Sequence, residues 1–169
     1  MPKPDLGKVP PFYHNYVNQV DQEELSNAFS VHLTGFVPFI ESISEEKWDY
    51  RYAEGKWSIK ELIQHIIDAE RIFSYRALCF ARKDGTPLPG FDENTYVAFS
   101  NADKRNKQDL LAELKAVQVA TARLFESFDE EQLDREGIVN NKSISVRAIG
   151  FIIIGHTQHH KNILQEHYL

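Results

Sequence analysis

The chain has a single cysteine, Cys79, in 169 residues, so a disulfide framework is ruled out and no Cys-x-x-Cys pair exists. Long apolar runs are missing too. Runs such as Ala77–Ala81 and Phe151–Ile154 are far below the roughly 18 residues of a membrane span, and the N-terminal MPKPDLGKVPPFY lacks the apolar stretch of a signal peptide. These absences lead us to expect no membrane association, a cytoplasmic location and a reduced thiol. Basic residues are in deficit, 19 Lys+Arg against 25 Asp+Glu for a net charge of −6, which makes nucleic acid a poor partner. The eight glycines are scattered and form no phosphate-binding loop, and no internal repeat or sustained heptad array is present.

What the chain does have is 42% hydrophobic residues, enough at this length for one core. Residues 1–20 hold four of the seven prolines together with Phe12, Tyr13 and Tyr16, which predicts an arm with little helix that packs its rings on a single domain over 21–169. From Asp21 onward, Leu25, Phe29, His32, Phe36, Ile40 and Ile43 recur in steps of three and four, the inward stripe of a helix that Pro38 should kink or divide. Ser58-x-x-Glu61 has the form of a capping box and opens a second helix through Leu62, His65, Ile66, Ala69, Phe73 and Phe80. Stacked breakers at Lys83–Gly90 end it. A connector of about 22 residues follows, long enough to hold a short helix near Asn94–Phe99 or to form an ordered lid. The third helix carries Leu110, Leu114, Val117, Thr121, Phe125 and Phe128. The fourth carries Ile149, Ile153, His156, His160 and Ile163 behind a Ser143 or Ser145 cap. Four such segments, each of 23 to 25 residues by this pattern, bury their faces together as an all-α four-helix bundle with a long crossover between the second and third helices. Strands are not expected.

The chemistry lies in the seven histidines. His156 and His160, four apart, share one helical face and can point at the same ion, whereas His159 faces elsewhere. His65 lies on the inward side of the second helix. Three neutral imidazoles from two helices suit Zn²⁺ or Ni²⁺ and leave a coordination position for water or substrate. The competing reading of each is an ordinary buried histidine satisfied by a neighbouring carboxylate. Glu61 and Asp68 flank His65 at i−4 and i+3 and can hold its other ring nitrogen, while His32 is a fourth ligand, a supporting group or a core histidine. Cys79 is more than three turns beyond His65 and reads as a buried, inert thiol. The segment Pro87–Tyr96 either approaches the mouth of the pocket or caps the bundle.

Trp57-Ser58 opening the second helix, His65 followed by Asp68 and Glu70, and His156-x-x-x-His160 about ninety residues later resemble the motifs of the DinB/YfiT-like superfamily, over most of the chain from Asp21 to Leu169. The resemblance implies up-down-down-up connectivity, a divalent metal on His65, His156 and His160, and a homodimer. It also implies a small-molecule substrate and, in some relatives, thiol-dependent transferase or hydrolase chemistry using a low-molecular-weight thiol such as bacillithiol or mycothiol. Catalysis is left open at this stage. The alternatives are a non-catalytic metalloprotein, structural or binding a small ligand, and a metal-free bundle for protein interaction.

Overall fold

A computed structural model describes residues 2–169. Four long helices dominate: α2 (Leu25–Ser42), α3 (Ile59–Ala81), α5 (Lys107–Glu126) and α7 (Val146–Ile163). At 18, 23, 20 and 18 residues, three of the four are shorter than the apolar pattern suggests, and side-chain caps fix where α3, α5 and α7 begin. Ser58 and Glu61 form the reciprocal capping box that starts α3, and Asn106 and Ser145 accept from backbone N–H groups in the first turns of α5 and α7. Pro38 lies within α2 without dividing it.

The short elements are α1 (His14–Asn18), α4 (Glu93–Phe99), α6 (Glu130–Asp134) and a hairpin of β1 (Glu136–Val139) and β2 (Lys142–Ser145). The five-residue α1 accords with an arm of little helix, while the hairpin is an addition to a reading that set a strand-rich fold aside. The hairpin has a local cause. Asn140 and Asn141 adopt φ of 46° and 61°, and Val139 pairs with Lys142, the geometry of a two-residue primed turn, which asparagine tolerates. Leu88 then bonds to the outer side of β1, its N–H donating to Ile138 O at 2.9 Å and its carbonyl accepting from Asn140 N at 3.1 Å. The crossover is thereby fastened to the hairpin.

Both α2 and α3 pack against α5 and α7, while α1 lies along α7. That last contact requires Gly155, since a Cβ there would stand 1.9 Å from the Tyr16 carbonyl oxygen. The apolar interior falls into two bodies. One surrounds Phe29, Phe80, Phe125 and Phe151, and the other Phe36, Trp48, Ile63, Leu110 and Leu164. Between them, at the same level on each long helix, the buried residues are polar: His32 on α2, His65 and Glu70 on α3, Gln118 and Thr121 on α5, and His156 and His160 on α7. In this layer His32 Nε2, both Glu70 oxygens, the Gln118 side chain and His160 Nδ1 have no hydrogen-bond partner, and burying such groups is costly, which marks the waist of the bundle as a candidate site.

Candidate metal centre

His65 projects from α3 and His156 and His160 from successive turns of α7, and all three are buried. Their ring nitrogens converge, with the His156 Nε2 lying 3.0 Å from that of His65 and 3.1 Å from that of His160. All three candidate ligand atoms lie within 4.8 Å of one another. A ring nitrogen holds either one proton or one lone pair, so a single normal hydrogen bond cannot account for both short contacts to His156. A cation between three lone pairs can: metal–nitrogen bonds of about 2.0–2.1 Å in a tetrahedron set ligand atoms roughly 3.3–3.4 Å apart. Burial holds the His65 imidazole down at about 4, with the charge of His159 adding to the effect. Burial and then the neighbouring imidazoles hold His156 and His160 well below the usual histidine range. At neutral pH the rings are uncharged and their lone pairs are free to ligate. The donor set therefore fits a divalent ion.

Aromatic rings fix the imidazoles. Trp57 lies 4.8 Å from His65 between centroids, and the Tyr16 ring meets His156 edge-on at 5.4 Å. The Trp57 carbonyl accepts a 2.6 Å hydrogen bond from the Tyr168 hydroxyl, which ties the end of the chain to the entrance of α3. The three histidines open onto a cavity of about 540 Å³, walled by the arm at Tyr13 and Tyr16, by Phe73 and Arg76 of α3, by Gly90, Phe91 and Glu93 of the crossover, and by the hairpin at Asn140 and Lys142. The Pro87–Tyr96 segment takes both roles open to it: Gly90, Phe91 and Glu93 line the pocket, while Leu88 and Phe91 pack against the apolar core.

The three groups expected to support the ligands do not do so. The Glu61 carboxylate accepts from Ser58 N at 2.7 Å and from Arg51, so its role is to cap α3. Asp68 accepts from Gln64 Nε2 at 2.9 Å and belongs to a polar network with Gln64, Arg105, Glu113 and Arg71 between α3 and α5. His32 borders a different cavity beside Thr157 and Lys161, with its Nε2 unpartnered and burial pressing its pKa to about 4. Spacing along one helix identifies which residues are neighbours but not which neighbour wins a side chain: Arg51 outcompetes a neutral imidazole for the Glu61 carboxylate, and Gln64 takes Asp68.

Two residues escape the sequence reading. His159 lines the cavity although it lies off the 156/160 stripe, its pKa lowered by burial. Arg76 is buried in the cavity wall, where apolar periodicity places a hydrophobic residue. Its signal was present as a charge on an inward stripe.

Comparison with known proteins accords with this geometry. The family model described as "DinB superfamily" matches residues 28–164. The "Putative metal-dependent hydrolase OB0413" of Oceanobacillus iheyensis is 28% identical over 123 residues, covering 72% of this chain and 70% of that protein. The structure of YfiT from Bacillus subtilis, described as "a probable metal-dependent hydrolase with an unusual four-helix bundle topology", superposes with a TM-score of 0.74 at 14% identity, covering 84% of this chain and 82% of that one. A mycothiol-dependent maleylpyruvate isomerase shares the fold with a TM-score of 0.66 at 10% identity, over 81% of this chain and 58% of that one.

Proposed function

Because the chain belongs to the DinB superfamily, we propose that it is a metal-dependent hydrolase or thiol transferase in which His65, His156 and His160 hold a divalent ion, zinc or nickel. The observation that carries this reading is the convergence of three buried, neutral imidazoles at one edge of a cavity large enough for a small molecule. Three nitrogen ligands leave an open position, as in reactive rather than closed structural sites. When bound, such an ion supplies Lewis acidity that makes water or a thiol a better nucleophile at neutral pH.

The remaining tasks fall to the chain. Trp57, Phe73 and Tyr16 surround the imidazoles with rings, limit water and keep the local dielectric low, which strengthens every charge interaction in the cavity. His159 faces the same space with its pKa lowered, so a ring nitrogen is unprotonated at neutral pH and can accept the proton released by the nucleophile. The shared fold of the mycothiol-dependent enzyme favours a low-molecular-weight thiol as the nucleophile.

Metal analysis of protein purified without an affinity tag or chelator tests the reading. About one equivalent of metal is expected in the wild type and little in H65A, H156A or H160A, with added Zn²⁺ raising the melting temperature of the wild type alone. Wild-type protein that neither carries metal nor melts higher with it refutes the assignment. Loss of thiol-dependent turnover in the same variants separates catalysis from a purely structural ion.

A further inference from the structure

Arg76 is 4% exposed and makes no ion pair among the described residues, yet it stands in the wall of the cavity that holds the three histidines. Its Nη2 donates to the Pro89 carbonyl oxygen at 2.8 Å, and its guanidinium lies over the Phe73 ring at 5.6 Å and the Phe91 ring at 5.7 Å. The ionisable side chains that act on it are the phenols of Tyr13, which hydrogen-bonds to it, and Tyr96; a phenol is neutral at physiological pH, and burial raises the Tyr13 pKa further. The nearest acid on the cavity wall, Glu93, is exposed at the rim and forms no ion pair with Arg76. A buried guanidinium stays charged, and leaving it without a counter-ion is expensive unless something else supplies the anion. The planar fork is held by two rings, the Pro89 carbonyl and the Tyr13 hydroxyl, and of its five N–H groups those not so engaged are left for a ligand.

The electrostatic balance of the cavity points the same way. Its charged lining consists of Arg76 and Lys142 against Glu93, and the three imidazoles are neutral, so a divalent ion keeps its full charge. The His156 ring centroid is 6.1 Å from that of Phe73, which is 5.6 Å from the Arg76 guanidinium carbon, so the His156 imidazole and the Arg76 guanidinium are no more than about 12 Å apart. Both face one space along the same side of α3, because the step of eleven residues from His65 to Arg76 completes about three turns.

We propose that Arg76 is a specificity-determining residue that holds the carboxylate of a small organic acid whose other end reaches the His65, His156 and His160 centre. The assignment rests on the metal-site reading for the far end of the ligand but not for the carboxylate end. It narrows the substrate class to carboxylate-bearing molecules long enough to join the two sites, such as a carboxylated thiol.

Isothermal titration of zinc-loaded protein with 6-mercaptohexanoate and the uncharged 6-mercaptohexanol tests it. The acid should bind the wild type at least tenfold more tightly than the alcohol, as a charge-assisted hydrogen-bond pair requires. R76Q should bind both alike, and R76K should recover part of the preference. Equal affinities in the wild type, no binding of the acid at millimolar concentration, or a preference that survives in folded R76Q overturns the proposal. Should R76Q not fold, the wild-type acid and alcohol comparison together with R76K decides. A failure of the metal reading has a different signature: hexanoate then binds as well as 6-mercaptohexanoate, and H65A changes neither, while the preference for acid and its dependence on Arg76 remain.

Discussion

Replacing Glu70 with Gln should make the protein more stable at alkaline pH and leave it nearly unchanged at acid pH. Glu70 lies in the polar waist of the bundle with neither carboxylate oxygen in a hydrogen bond of normal geometry, and burial raises its pKa to about 7, against a smaller opposing effect of the Thr121 hydroxyl. A folded-state pKa above the unfolded value of 4.5 means that the folded protein binds the proton more tightly. The stabilisation is therefore complete below pH 4.5 and is lost as pH rises through about 7. At about 1.4 kcal/mol per pH unit, this difference of some 2.5 units corresponds to roughly 3 kcal/mol, a large part of a domain's net stability. Urea denaturation followed by circular dichroism at pH 5 and pH 8, on wild type and E70Q, isolates this quantity because the histidine titrations occur in both proteins and cancel. The stability of E70Q relative to wild type should rise by roughly 2–3 kcal/mol between these pH values. A difference that stays flat with pH refutes the reasoning and implies that the carboxyl is solvated or paired in solution.

His32 predicts the opposite slope on the acid side. Its folded pKa of about 4 lies below the ordinary 6.5, so wild type should lose roughly 3 kcal/mol as pH falls from 6.5 to 4, and H32L should lose that much less over the same range in denaturant titrations. Gly155→Ala should displace the arm, because the new methyl meets the Tyr16 backbone, which cannot rotate away. A melting temperature lowered in line with about 1–3 kcal/mol of overpacking and faster protease cleavage before residue 20 are expected, and an unchanged protease pattern contradicts the close approach. Deletion of the Asn140-Asn141 turn preference by N141V should destabilise the hairpin by about 1 kcal/mol or more, since a β-branched residue resists φ of 61°. Wild-type stability in N141V argues against the primed turn.

Residues that act through local geometry were legible in the sequence. The capping box at Ser58 and Glu61, the stripes of the four long helices and the pair His156 and His160 all depend on spacings of three and four, which a helix converts directly into a shared face. His65 could be named by the same logic on a second helix. The hairpin was missed although Val139-Asn140-Asn141-Lys142 carried its turn signal, because the strands on either side are only four residues long and merge into the helical pattern that follows. Glu61, Asp68 and His32 do not support the ligands for a different reason: several groups at helical spacing compete for each side chain, and which of them wins, Gln64 for Asp68, Arg51 beside Ser58 for Glu61 and none for the His32 Nε2, is not set by spacing alone.

The sequence by itself determined the number of long helices, the cap of the second at Ser58, a serine cap for the fourth and which faces turn inward, since these follow from short-range periodicity and side-chain to backbone hydrogen bonds. Only the tertiary structure decided that His65 from α3 meets His156 and His160 from α7, that His159 and Arg76 share their cavity, and that the arm closes over them at Gly155. The meeting of α3 and α7 depends on how four apolar faces pack at once, a contest among all possible helix pairings that no local spacing encodes. Burial then decides the chemistry, because the same imidazole, carboxyl or guanidinium group acquires its protonation state and its need for a partner only when the rest of the chain removes it from water.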